Sequence, residues 1–340
     1  MSSVSSRFLG LIVRVLAVVV ALIFGAILVV AQGGNPLQVY YAMASSALGT
    51  SFGLQTLTTL MAILVLTALS AVVGFKQSIW NIGQEGYVYA GAIGGAGVAL
   101  FTGLGLIVVL VVSALAGALW SLLAGVLKVK FKIDEIVSTI LLNFVIILVV
   151  DFLTSGPWKG KATFGAAITD TIVRGVRLTS YVFNVNTVII ISVAVAVCTY
   201  VLLEKTKLGF EISLVGDNTD AARYCGIDIG KTTLINFALS GALGGLGGGI
   251  LLTSVSFSLF DGVSGNYGWL GIAVALVGGS DALGSLPAAL VFGVLLVGNV
   301  GSLASLNIPI SFSQSIAAVI IIVFPIYPII ERRLRGLMRK

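Results

Sequence analysis

The sequence predicts an all-α membrane protein of about ten transmembrane helices, and three observations carry that prediction. Of its 340 residues 58% are hydrophobic and 9% charged, with a mean hydropathy of +1.13. A soluble globule carries about 25% charged residues, so this chain cannot cover its surface with charge and lipid must be much of its solvent. Apolar runs of roughly twenty residues recur along the whole length, each long enough for a hydrocarbon core about 30 Å thick. No stretch remains for a separate soluble domain, so 1–340 reads as one transmembrane domain.

Spans fall near 8–31, 56–74, 79–101, 104–127, 135–153, 184–203, 231–252, 267–283, 285–304 and 312–330. Arg7 and Arg14 precede the first run, but it continues past the length of a signal peptide without a small-residue cleavage site, so it reads as a retained span. Ten spans place both termini on one side, and the positive-inside rule makes that side the cytoplasm. The inner segments then hold Arg7, Arg14, Lys76, Lys128, Lys130, Lys132, Lys205, Lys207, Arg223, Lys231 and the basic tail from Arg332 to Lys340. Lys159, Lys161, Arg174 and Arg177 share one long outer loop. The net charge of +6 is therefore the bias expected of a membrane protein and calls for no nucleic acid. GAIGG (91–95) and VALVGG (274–279) each follow a polar, glycine-broken opening, five spans apart. That suggests an inverted repeat with halves at about 56–153 and 231–330.

The chain has no histidine, its two cysteines have no metal spacing, and no Walker-type run is present. A membrane enzyme would need a convergent nucleophile, base and electrophile, for which few groups are available. In GALGGLGGG (241–249), Gly241, Gly245 and Gly249 are four apart with Gly244 and Gly248 beside them, which suits close helix packing.

Polar residues inside the spans are the candidate site. In IWNIGQEGYVYAGAIGG (79–95), read as a helix, Asn81, Glu85 and Tyr89 share one face with Gln84 nearby, and Gly86, Ala90 and Gly94 form a packing stripe. A charge at mid-membrane costs about 2.5–3.5 kcal/mol against lipid, so the polar stripe must face a cavity, a partner group or a water-filled path. Asn143, one turn after Thr139, is a second interior amide. For both, a structural network and direct ligand contact remain open. In 257–279, Asp261, Asn266, Tyr267 and Trp269 open a short, glycine-interrupted span of the kind that marks transporter binding sites. Tyr267 is assigned to an interfacial belt, and Trp269 is left open.

The loop 204–230 predicts a short exposed helix. Asp217 or Asn218 would cap it, Ala221, Ala222 and Arg223 favour it, and Gly226 would end it, with Asp217, Asp220 and Arg223 outward. Such a tip suits docking to a partner, or is a solvated connector.

GDNTDAARYCGI (216–227) resembles the coupling loop of ATP-binding-cassette (ABC) importer permeases. NIGQEG (81–86) resembles the NIG-x-EG motif of the nucleoside and simple-sugar permeases related to the branched-chain amino acid permeases. IDEIVSTILLNF (133–144) and GNYGWLGIAVALVGG (265–279) resemble further segments of that family, in the same order. Asp134, Tyr87 and Lys76 stand where the family usually has Asn, Gln and often Arg.

The resemblance implies an ABC importer permease fold in a bacterial or archaeal-type cytoplasmic membrane. It implies a nucleoside as cargo, with a simple sugar or a riboflavin-like compound as alternatives. It further implies a second, unequal permease in a heterodimer, a substrate-binding lipoprotein outside, and a separate ATPase that binds ATP and Mg; this chain would bind no cofactor or metal. The implied path residues are Asn81, Gln84, Glu85, Tyr89, Asn143 and Trp269. The implied ATPase contacts are Asp217, Asn218, Asp220, Ala221, Ala222 and Gly226. The rival reading is an ion-coupled transporter using Glu85.

Overall fold

The computed structural model describes residues 19–20, 22–31, 33–161, 165–179, 181–182, 185–301, 315–316 and 319. They fall into two compact units, one within Met1–Leu57 and Leu290–Lys340, the other Thr58–Ala289.

In the first unit, α1 (Leu22–Ala31) and α2 (Pro36–Leu48) are bent by 118° at a glycine turn. Asn35 caps α2, accepting the Leu37 amide at 3.0 Å, and Pro36 fits the first helical turn, where no backbone donor is needed. No predicted span covers α2. Residues 8–18 of the predicted span 8–31 fall outside the described residues, as do nearly all of the predicted span 312–330 and the end of the second repeat half.

The second unit contains most of α3 (Ser51–Lys76), then α4 (Gln84–Phe101), α5 (Leu106–Phe131), α6 (Glu135–Ser155), α7 (Val188–Lys205), α8 (Lys207–Asp217), α9 (Thr219–Tyr224), α10 (Ile229–Leu251) and α11 (Tyr267–Val277), and the start of α12 (Ser285–Gly301). A two-residue hairpin, β1 (Tyr181–Val182) with β2 (Val185–Asn186), lies in the long α6–α7 connection. Asn186 pins it to α3 through Thr58 and Thr59.

Glycine sets the packing. Gly241, Gly245 and Gly249 of α10 seat against Gly117, Ser121 and Ser113 of α5, while Gly244 and Gly248 seat against Tyr87 and Val88 of α4. These approaches are too close for a side chain, and in lipid close packing is what holds helices together. The glycine run is a packing device, as its spacing indicated. The basic side chains follow the same geometry: Lys76, Lys128, Lys205 and Lys231 lie at one end of α3, α5, α7 and α10.

Among the described residues five helices are long and apolar enough to cross a membrane, or six if α1 and α2 form one bent span. Two predicted spans need correction. The 79–101 helix begins only at Gln84, because Ser78 takes a left-handed turn (φ 57°) and the chain then runs non-helically to Gly83. The 267–283 span is helical for only 11 residues, about 16 Å by helical rise, and ends at the left-handed Gly279 and Ser280. Its preceding half, 257–266, is non-helical.

A buried latch between two broken spans

Asn81 precedes α4 and does not lie on it, so Asn81, Glu85 and Tyr89 are not one helical stripe. The Asn81 amide donates to Ser240 Oγ at 3.0 Å, and its oxygen accepts from Gly83 N (3.1 Å) and the Tyr87 hydroxyl (2.7 Å). Ser240 continues the network to the Ser70 carbonyl at 2.7 Å. Asn143, on α6, holds the same segment from the other side. Its amide donates to the Ile82 carbonyl at 2.9 Å and its oxygen accepts the Gly86 amide at 2.9 Å. Thr139, one turn earlier, accepts the Ile82 amide. Of the backbone amides that α4 leaves unpaired at its start, that of Gly86 is thereby satisfied from another helix, and both backbone groups of the non-helical Ile82 are paired with α6.

Glu85 does for α11 what Asn143 does for α4. One carboxylate oxygen accepts from the Ser264 hydroxyl and the other from the Gly268 amide at 3.0 Å. Asn266, the residue in the capping position, is left-handed (φ 64°) and makes no side-chain cap, so the carboxylate takes over at the positive end of the helix. Gly268 rests directly on the Gln84–Glu85 backbone. Asn143 is eight residues from Glu135, about 12 Å, so it holds α4 near the middle of α6, a helix long and apolar enough to cross a membrane.

Asn81, Gln84, Glu85, Tyr89 and Asn143 are all buried within the chain. Five of the six residues expected on the path are therefore interior. Four are engaged as network, latch or core; Gln84 alone has neither amide atom hydrogen-bonded. Trp269 is partly exposed, and Asp261, Gly262, Gly265 and Asn266 in the segment leading into α11 are exposed. Asp261 and Asn266 belong to the glycine-interrupted opening already recognised in the sequence, but nothing there separated a buried amide from an exposed one. Tyr267 is partly exposed and packs against Gly265 in that same opening, at the depth of the latch.

The α8–α9 loop follows its predicted form. Asn218 is the cap, accepting the Ala221 amide at 3.0 Å, and Gly226 (φ 77°) follows the last turn. Asp217, Asn218, Asp220 and Gly226 are exposed and Ala221 is partly so. Ala222 is fully buried, because it is the inward face of α9 and its carbonyl accepts the Ile227 amide. It therefore positions the helix and offers no outward contact. Tyr224 is 94% exposed. Two grooves flank α9, of about 530 Å³ beside Arg223, Lys132 and Asp134, and about 630 Å³ beside Cys225, Phe210 and Lys231. Among the described residues no three His, Cys, Asp or Glu side chains could hold a metal ion.

The family described as the branched-chain amino acid transport system permease component matches residues 53–325. The glucose ABC transporter permease TsgB13 of Haloferax volcanii is 31% identical over 323 residues, 91% of this chain and 85% of that protein. The nucleoside ABC transporter permease NupB of Lactococcus lactis is 31% identical over 339 residues, 94% of this chain and 92% of that protein. The nucleoside permease NupC of the same bacterium is 26% identical over 242 residues, 68% of this chain and 76% of that protein. No solved structure matches the chain. With its apolar helices and a match across most of its length, the chain belongs to the branched-chain amino acid transport system permease component family and is a multi-pass membrane permease of the ABC transporter type.

Proposed function

We propose that this chain is one of two unequal permeases of an ATP-driven importer whose cargo is a nucleoside. The observation that carries the reading is α9: a capped six-residue helix, packed from beneath by Ala222, that turns Asp220, Arg223 and Tyr224 outward between two grooves. A separate ATPase, binding ATP and Mg, would dock there from the cytoplasm, with Asp217, Asn218, Ala221 and Gly226 around the contact. The basic ends of α3, α5, α7 and α10 support that orientation, with both termini inside. The pairing of permeases is supported by NupB and NupC, two nucleoside permeases of one bacterium that both match this chain.

The cargo path would run along 261–269. Polar groups exposed at membrane depth avoid lipid by facing a partner or a water-filled path. Trp269, partly exposed, offers a stacking face, and the exposed Asn266 three residues earlier offers an amide, a pair of groups that a nucleobase matches. Gln84 has free hydrogen-bonding capacity and would meet the cargo if the α4–α11 contact opened. Delivery would come from a substrate-binding lipoprotein outside. The inverted repeat fits the shared device of α4 and α11, each a helix started inside the membrane under a side chain from another helix. A sugar is the second reading, supported by the name of TsgB13.

The test is uptake of labelled adenosine and labelled glucose by cells with and without this chain. Adenosine uptake that needs both the chain and the ATPase supports the reading. Uptake of glucose alone would shift it to sugar, and uptake that persists without any ATPase would contradict it.

A further inference from the structure

The proposed function leaves open how movement at α9 reaches the cargo face. We infer that Gly216, seated on Gln77, is the positioning residue that carries it. Gly216 sits in the last turn of α8, one residue before the Asp217–Asn218 corner that starts α9. A methyl group placed on it would lie 2.5 Å from the Gln77 carbonyl carbon and 2.7 Å from its Cα, so the two backbones are in direct contact. The other end of α8 is seated in the same way, with Gly209 against the Leu202 and Leu203 carbonyls of α7, and Ile212 and Val215 are buried between. The helix is therefore held along its length and ends on Gln77.

Gln77 begins the non-helical approach to α4, in which Gln77, Ile79 and Asn81 are buried while Ser78 and Trp80 are exposed. Gln77 is buried, and its amide donates to Thr233 Oγ1 at 2.9 Å. The Gln77 and Ile79 amides both donate to the Gly74 carbonyl at 3.1 Å, across the left-handed Ser78. Asn81 is tied to Ser240 and Tyr87, and Ile82 to Thr139 and Asn143. Then comes Glu85, latched to Ser264 and Gly268 under the exposed 261–269 face. A displacement of Gln77 passes through Ile79, Asn81 and Ile82, each hydrogen-bonded to a neighbouring element, and chain tied in this way shifts between discrete arrangements rather than stretching. Tyr87, one of the three departures from the family pattern, belongs to this line through its bond to Asn81.

This inference rests on the proposed docking of an ATPase at α9, and its test separates the two. In proteoliposomes holding the complete transporter, ATPase co-purification, ATP hydrolysis and labelled adenosine uptake are measured together. Gly216→Ala is expected to keep the ATPase bound and hydrolysing at the unaltered basal rate, while uptake per ATP falls about tenfold, within the range a single position can change a coupling. Gln77→Ala adds no atoms, keeps the backbone contact with Gly216, and removes the buried side chain with its bond to Thr233, so that residue 77 is less firmly tied to α10. It should move the same ratio in the same direction by a smaller factor, and it decides the matter if Gly216→Ala fails to assemble. An unchanged ratio, or uptake that falls only in step with ATPase co-purification, would overturn the joint. No ATP-driven uptake in the unaltered transporter would overturn the function and the joint together.

Discussion

Glu85 of α4 accepts the Gly268 amide of α11 at 3.0 Å, so the carboxylate of one broken span closes the helix start of another. An acid inside a membrane span needs a partner, and here the partner is a helix terminus with the Ser264 hydroxyl beside it. The interaction accounts for the acid without a catalytic or ion-carrying role.

Glu85→Gln keeps one acceptor and loses the charge. It should lower stability by about 1–2 kcal/mol, the upper range for a charge at a partly buried helix end. Thermal unfolding in detergent is the check. In addition, uptake by the unaltered transporter should not depend on a proton gradient while ATP is held constant. Gradient-dependent uptake that becomes gradient-independent in Glu85→Gln would mean that the acid carries protons.

Gly248→Ala would drive a methyl group into the Val88 carbonyl of α4, whereas Gly105→Ala meets nothing within 4 Å. The first should cost about 1–3 kcal/mol, as overpacking does, and the second should be close to neutral. Comparing the melting temperatures of the two purified proteins tests whether glycine contact holds the α4–α10 pair.

Ala222 and Tyr224 should part company. Ala222→Glu places a charge where the side chain is fully buried and should unfold the α8–α9 unit, seen as faster proteolysis of the loop. Tyr224→Ala removes an outward ring and should leave the loop protected while weakening ATPase co-purification. Equal ATPase binding by Tyr224→Ala and the unaltered chain would move the docking surface off this ring.

Trp269→Ala should weaken cargo binding by about 1–3 kcal/mol, the loss expected for one stacked base, and Trp269→Phe should recover much of it. Equilibrium binding of labelled adenosine to the assembled transporter gives the comparison.

The parts legible in the sequence were those fixed by local rules. Asn218 and Gly226 have one good use at a helix start and end, so α9 could be placed. Gly241, Gly245 and Gly249 could be assigned to packing because lipid offers a glycine stripe little else to do. The site was harder because burial depends on pairing across the fold. Asn81 and Glu85 are spaced for one helical face, and only the left-handed Ser78 shows that the helix has not yet begun. Asn143 and Asn266 are both amides in apolar runs; one is spent on the Ile82 carbonyl and Gly86 amide while the other is exposed, and no local pattern distinguishes them. The α11 span looked long enough because GIAVALVGG is apolar throughout, yet Gly279 and Ser280 turn the backbone left-handed after Val277.

The most direct test of the account is thiol accessibility in the assembled transporter, after Cys198 and Cys225, both exposed, are replaced by serine. Asn266→Cys and Trp269→Cys should react with a membrane-impermeant thiol reagent and be protected by adenosine, while Tyr89→Cys, inside the chain, should stay unreactive. Reaction and protection at position 89 with silence at 266 and 269 would contradict the account and return the path to the interior of α4.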